Sequence, residues 1–284
     1  MLDLKKSTIR AGLDRPVRIL HVSDTHLALA DERDDELKQA LSLKRKKVFS
    51  DKARSVEKYL NRQISYSREN CKLLVHTGDL IDFVSEANLD RAGQVLSDPD
   101  ILFIAGNHEY SQYVGEAWEG RAYRMNTYMQ IRRRMGVDLL YASRVVGGLN
   151  IVAFDNSDYQ FEDWYLDRLE REVRKGFPII LALHCPFFEE SLFREIMDVR
   201  DNPVAGLAGC DWEHLTRYNE YLQMRRNANE TTKRVSEYIF REKRIIAILA
   251  GHIHFPFESM LACGKMQYVT GGGFRGEARE ITVI

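Results

Sequence analysis

Five apolar runs, each the length of a strand and each broken off by residues able to bind a metal ion, constrain this chain more than anything else in it. Val17-Arg18-Ile19-Leu20-His21-Val22 runs into Ser23-Asp24-Thr25-His26, and Leu73-Leu74-Val75 into His76-Thr77-Gly78-Asp79-Leu80-Ile81-Asp82. Ile101-Leu102-Phe103-Ile104-Ala105 meets Gly106-Asn107-His108-Glu109, Pro178-Ile179-Ile180-Leu181-Ala182-Leu183 meets His184, and Ile245-Ile246-Ala247-Ile248-Leu249-Ala250 meets Gly251-His252-Ile253-His254. Short apolar runs ended by turn residues read as buried strands. Helix-like stretches separate them, which is the alternation of an α/β protein. In open α/β sheets ligands bind at the carboxyl ends of the strands, so all five tips are candidates for one pocket.

The 284 residues can bury a large core, and no linker is visible, which favours one domain over residues 1–284. A hydrophobic fraction of 44% with 29% charged residues excludes a disordered or fibrous chain. Lys plus Arg (41) nearly balance Asp plus Glu (42), so total charge gives no general affinity for nucleic acid or for anionic membrane. The opening Met1-Leu2-Asp3-Leu4-Lys5-Lys6 lacks the apolar core of a signal peptide, and no apolar run could span a bilayer; a cytoplasmic protein without membrane partners is expected. Cys71, Cys185, Cys210 and Cys263 are too scattered for a zinc ribbon or a disulfide framework. Cys185 adjoins His184, but neighbours on a strand face opposite ways, which argues against a Cys/His nucleophile.

Residues 1 to 15 are polar and suit a leader or an edge strand. In the charged stretch 30–69, Leu37, Leu41, Val48, Val56, Leu60 and Ile64 recur at helical spacing and predict two helices laid on the sheet. Its Lys44-Arg45-Lys46-Lys47 run reads as a solvated helix face. Leu89, Ala92, Val95 and Leu96 predict a helix stopped by Asp98-Pro99. Residues 114 to 135 predict another, with Arg132-Arg133-Arg134 complementing its dipole. Leu139 to Ser143 and Leu149 to Phe154 suggest a hairpin around Gly147-Gly148, and Asp155-Asn156-Ser157-Asp158 either overlook the same pocket or cap a helix beginning near Phe161, the cap being the usual role of such residues. Residues 186–244, rich in aromatic and charged side chains, are long enough to cap the pocket. Phe257 to Ala262, Met266 to Thr270 and Glu280 to Val283 predict one antiparallel edge, with Arg275 as a surface arginine beside the triple-glycine turn.

The tips together supply Asp24, His26, Asp79, Asn107, His184, His252 and His254, whereas His21, His76 and His214 suit ordinary core positions. Asp-X-His and His-X-His put both side chains on one face of an extended segment, so each pair can chelate an ion. Carboxylate, imidazole and amide oxygen together suit manganese, iron or zinc. Seven ligands are too many for one ion that must keep a position open to substrate, and suit two divalent or trivalent ions sharing a carboxylate. Such paired ions lower the pKa of a bound water to about 7 and clamp both oxygens of an in-line displacement. Phosphoryl transfer benefits most.

Asp24-Thr25-His26, Gly78-Asp79-Leu80-Ile81-Asp82, Gly106-Asn107-His108-Glu109, His184 and Gly251-His252-Ile253-His254 resemble, in order, the five motifs of the calcineurin-like metallophosphoesterases. The likeness spans residues 24–254 and implies a four-layer α/β/β/α sandwich of two mixed β-sheets flanked by helices. It also implies that Asp24, His26 and His254 hold one metal, that Asn107, His184 and His252 hold the other, and that Asp79 bridges them. His108 matches the position that binds the phosphate and protonates the leaving oxygen, Asn107 shares the phosphate contact, and Asp82 matches a residue that orients a ligand without binding the metal.

The protein serine/threonine phosphatases of that family carry Asp-Arg-Gly where this chain has Asp82-Phe83-Val84, so activity on phosphoproteins is not expected. The expected activity is hydrolysis of a phosphodiester or phosphomonoester, small and nucleotide-like, by a hydroxide bridging the two ions. A metal-dependent nuclease is the alternative and would bind with a steep salt dependence. A non-catalytic scaffold of the same fold would be expected to have lost ligands, and none is missing.

Overall fold

In a computed structural model that describes residues 1–50, 55–116, 120–203 and 205–284, each apolar run becomes a strand. The chain order is β1 (Asp3–Ile9), β2 (Val17–Val22), α1 (Glu36–Phe49), α2 (Val56–Asn70), β3 (Leu73–His76), α3 (Glu86–Leu96), β4 (Ile101–Phe103), α4 (Arg121–Met135), β5 (Tyr141–Val146), β6 (Leu149–Phe154), α5 (Asp163–Arg174) and β7 (Ile179–Leu183). Short helices α6 (Glu190–Arg194), α7 (Trp212–Leu215) and α8 (Glu220–Arg226) follow, then α9 (Glu230–Arg241), β8 (Ile245–Ala250), β9 (Phe257–Met260), β10 (Met266–Val269) and β11 (Glu277–Val283).

Among the described residues the strands form two mixed sheets, ordered β1-β11-β2-β3-β4 and β5-β6-β7-β8-β10-β9. Strands β2, β3 and β4 run parallel in the first, and β6, β7 and β8 in the second, so their carboxyl ends gather on one side. The apolar runs are continuous because each strand is covered on both faces. Ile180 and Ala182 face Val75 and Leu102 of the other sheet, while Leu181 and Leu183 face Leu169, Val235 and Ile239 of α5 and α9. Leu60, Leu89, Ala92, Ile131 and Met135 cover the outer face of the first sheet from α2, α3 and α4. Each wholly buried Leu or Ile contributes about 1.5–3 kcal/mol, so the layers need no covalent staple. The four cysteines are free, and no helix among the described residues is long and apolar enough to cross a membrane.

Some local expectations hold in three dimensions and others change. The polar N-terminal segment is an edge strand, β1, paired in parallel with β11. β11 does not join β9 and β10; it crosses to the first sheet and pairs antiparallel with β2, while β10 lies parallel to β8. Interleaved with polar residues, the three runs look alike locally, and only long-range pairing sorts them between sheets. The stretch 30–69 does form two helices, and residues 51–54 between them lie outside the described residues. However, Leu37 and Val48 of α1 point to solvent, while Ser42, Arg45 and Phe49 turn inward. The helix expected from residue 114 starts at Arg121, with residues 117–119 outside the described residues.

The cap expected at residues 155–158 is also different. Glu162 stands at the cap of α5 and makes no side-chain capping bond. Asp155 instead accepts from Tyr110 Oη and Arg124 Nη2, both at 2.7 Å. Asn156 Oδ1 accepts the backbone N–H groups of His184 (3.0 Å) and Cys185 (2.9 Å), bracing the turn after β7. A buried polar segment must satisfy its groups locally, and here that requirement outweighs helix capping.

Candidate metal centre

The five strand tips meet at the seam between the sheets. His26 Nε2 lies 3.0 Å from His254 Nε2, and His254 Nε2 lies 3.4 Å from Asp24 Oδ1. Across the seam, His184 Nε2 lies 3.0 Å from Asn107 Oδ1 and 3.2 Å from His252 Nδ1. Asp79 stands between the two groups, its Oδ2 3.7 Å from His26 Nε2 and 3.5 Å from His184 Nε2. Ligand atoms of Asp24, His26, Asp79 and His254 all lie within 4.8 Å of one another.

The backbone is bent to achieve this. Asp24, His26, Asp79, His252 and His254 all have φ between 53° and 71°, in the left-handed region that costs non-glycine residues about 1–3 kcal/mol each. Such strain persists only where the surroundings over-determine it, and tight glycine contacts supply part of that constraint here. A Cβ on Gly106 would sit 2.2 Å from Asp79 Oδ1, and one on Gly251 would sit 1.8 Å from Ser23 Oγ. Glycine at both positions lets the loops stack directly on each other.

Behind the loops lies Glu109, wholly buried, a residue whose part the sequence does not reveal. Its Oε2 accepts the N–H groups of Asp79 (2.8 Å) and Gly106 (2.6 Å), and its Oε1 those of Leu80 (2.7 Å) and Ile81 (3.2 Å). Burial, with the nearby Asp79 carboxylate, pushes Glu109 up to about 7. Glu109→Gln should destabilise the protein by about 2–4 kcal/mol, because an amide NH₂ would face donors and leave buried N–H groups unpaired. Thermal unfolding of the variant checks this; an unchanged Tm would show that the carboxylate does not hold the loops.

The protonation states suit cation binding, which needs neutral imidazoles and ionised carboxylates. Burial keeps His26 below the usual imidazole range and takes His252 down to about 3. Burial works against charge on Asp24 and Asp79, yet the surrounding histidines hold both below the usual carboxylate range. Partners on the outer side select the tautomers. His184 Nδ1 donates to the Thr77 carbonyl at 2.7 Å, and His26 Nδ1 to Asp82 Oδ1 at 3.0 Å, so both Nε2 lone pairs face inward. The set of two carboxylates, four imidazoles and one amide oxygen therefore fits metal ions.

Asp82 is in turn held by Arg45, whose Nε and Nη2 reach its two oxygens at 2.6 and 3.0 Å. The solvated reading of the Lys44–Lys47 run thus fails for Arg45, because the helix rotates that side chain toward the centre. His108 Nδ1 donates to the Asp82 carbonyl at 2.7 Å, and its backbone N–H donates to Asp79 Oδ1 at 2.9 Å. Burial lowers the pKa of the His108 ring, but Asp79 and Asp82 outweigh it and hold the ring above the usual imidazole range. Arg275 is not a simple surface arginine; it donates to the His254 carbonyl and to Glu277.

Other histidines and the cysteine sort themselves by burial. His21 and His76 are buried and bond to Thr77 and Thr25 at 2.9 Å, as core histidines do. His214 is not in the core; it sits on α7 between Asp211 and Glu190. Cys185 lies past the end of β7, so it does not point away from His184 as a strand neighbour would, and its sulfur falls within 4.8 Å of ligand atoms of His184 and His252. Burial pushes its thiol well up, which argues against a thiolate nucleophile.

The sequence matches the family model described as calcineurin-like phosphoesterase over residues 17–256. The chain belongs to the calcineurin-like phosphoesterase family. No curated protein matches this phosphoesterase closely enough to count as a relative. Among solved structures it is similar to a dimetal phosphatase from Danio rerio, at 12% identity and a TM-score of 0.47 over 91% of this chain and 88% of that one. It is also similar to a 5′-nucleotidase from Candida albicans, at 14% identity and a TM-score of 0.43 over 96% of this chain and 48% of the other, about half its length. Family membership of this phosphoesterase rests on the match over residues 17–256.

Proposed function

We propose that this phosphoesterase hydrolyses a small, nucleotide-like phosphodiester or phosphomonoester at a two-metal centre. The observation that carries the reading is the position of Asp79, with one oxygen 3.7 Å from His26 Nε2 and 3.5 Å from His184 Nε2. A carboxylate so placed can serve two groups of ligands at once. In this reading Asp24, His26 and His254 hold one ion, Asn107, His184 and His252 hold the other, and Asp79 is shared. Manganese, iron and zinc fit the donors. When bound, the ions would activate water and neutralise charge on the phosphoryl group.

The remaining work falls to the protein. Asn107 and His108 would orient the substrate phosphate, and the His108 ring, partly exposed, would protonate the leaving oxygen. Asp82, locked by Arg45, holds the His26 ring in place. Residues 1–284 would act as one domain, with the 30–69 helices supplying Arg45 and the 186–244 segment capping the pocket. A metal analysis of the purified protein, joined to a hydrolysis screen in manganese against bis-aryl phosphate, aryl phosphate, cyclic nucleotides and single-stranded DNA, tests the reading. Two ions per chain and turnover of a small ester are expected. Absence of bound metal would overturn it, and turnover of DNA alone would replace the small substrate with a nucleic acid.

A further inference from the structure

His252 is engaged on its outer edge as well as its inner one. We propose that Tyr159 is the positioning residue that aims His252 at its metal, and that Gly206 and Arg226 hold Tyr159 in place, tying the segment between β7 and β8 to the metal centre. The inference rests on the two-metal reading above.

His252 Nδ1 lies 3.2 Å from His184 Nε2 and so is the nitrogen on the ligand side. Nε2, on the opposite edge, lies 3.0 Å from Tyr159 Oη. A hydroxyl that accepts the Nε2–H leaves the Nδ1 lone pair free for a cation, which is how an outer partner selects tautomer and ring angle. The Asn107 and His184 side cannot supply this restraint, because it touches only Nδ1.

Tyr159 is itself held under strain. Its φ is +68°, an outlier for a bulky side chain, and it joins the five metal-site residues with positive φ. The surroundings explain how the strain persists. A Cβ on Gly206 would lie 2.4 Å from Tyr159 Cε1 and 2.6 Å from Cζ, so the loop closes on the ring only because residue 206 has no side chain. Arg226 of α8 is wholly buried and centres its guanidinium 5.2 Å from the Tyr159 ring and 4.1 Å from that of Tyr218. The Gly206 N–H lies 3.5 Å from His252 Nε2, a long contact that would be a hydrogen bond only in the tautomer protonated at Nδ1, whereas Tyr159 Oη is the nearer neighbour at 3.0 Å. Displacement of this segment would therefore reach the metal centre through the Tyr159 phenol, the nearer of the two neighbours of His252 Nε2.

The test is metal binding, read without turnover. Metal-free protein is titrated with Zn²⁺ against a chelating dye, for the wild type, Tyr159→Phe, Gly206→Ala, the double variant and Met224→Ala. Tyr159→Phe keeps the ring and should weaken one of the two ions by about 10–100-fold, the usual effect of losing an outer partner, with the Tm of the metal-free protein nearly unchanged. Gly206→Ala should reach a similar loss by pushing the ring aside, and the double variant should add little. Met224→Ala, on the exposed side of α8, should bind both ions normally. Wild-type affinity for both ions in Tyr159→Phe, or equal weakening of both, would overturn the inference while leaving the two-metal reading intact. A wild type that binds fewer than two ions would overturn that reading, and this inference with it.

Discussion

Asp79→Asn should leave the purified protein with well under two ions per chain and with no measurable turnover. The substitution keeps an oxygen for the His108 N–H, now 2.9 Å from Oδ1, so the loop has no reason to rearrange. What disappears is a negative charge between two groups of imidazoles. Loss of an outer partner alone commonly costs about 10–100-fold in metal affinity, and loss of a shared ligand should exceed about 100-fold for each ion. Metal analysis after dialysis reads the result directly. Full occupancy in the variant would show that Asp79 does not bridge.

His108→Ala should behave in the opposite way, keeping both ions and losing turnover. The ring meets His26 edge-on, with centroids 4.7 Å apart, but its Nδ1 is committed to the Asp82 carbonyl and not to the ligand groups. A general acid contributes about 10²–10⁴-fold, and its contribution is largest where the leaving oxygen is most basic. An alkyl phosphate should therefore slow by that factor, and an aryl phosphate with an acidic leaving group much less. Equal slowing of the two substrates would exclude the acid role and leave His108 as a phosphate-binding residue.

Much of this phosphoesterase is legible in its sequence. Strand runs and their polar tips are local patterns, so Asp24, Asp79, Asn107, His184 and His252 could be placed at sheet edges from sequence alone. Helix faces were less legible. α1 carries Leu37 and Val48 at helical spacing, yet both face solvent, while Ser42, Phe49 and Arg45, which pairs with Asp82, occupy the inward face. Glu109 stood in plain view beside His108, but a glutamate that receives four backbone N–H groups gives no sign of it in one dimension. Tyr159 had no signal at all; its positive φ and the close packing of Gly206 on its ring, 47 residues on along the chain, appear only in three dimensions.

Strand period, turn residues and side-chain type are properties of neighbouring residues, so the α/β class and the chemistry of the donor set are legible in the sequence alone, while the layering came only with the resemblance to the family. Tertiary structure alone decided which sheet received β11, which nitrogen of each histidine faces inward, and which residues stand behind the candidate ligands. Those outcomes depend on pairings between distant segments, such as Arg45 with Asp82 and His184 with Thr77, and on burial, which exists only once the two sheets have packed together.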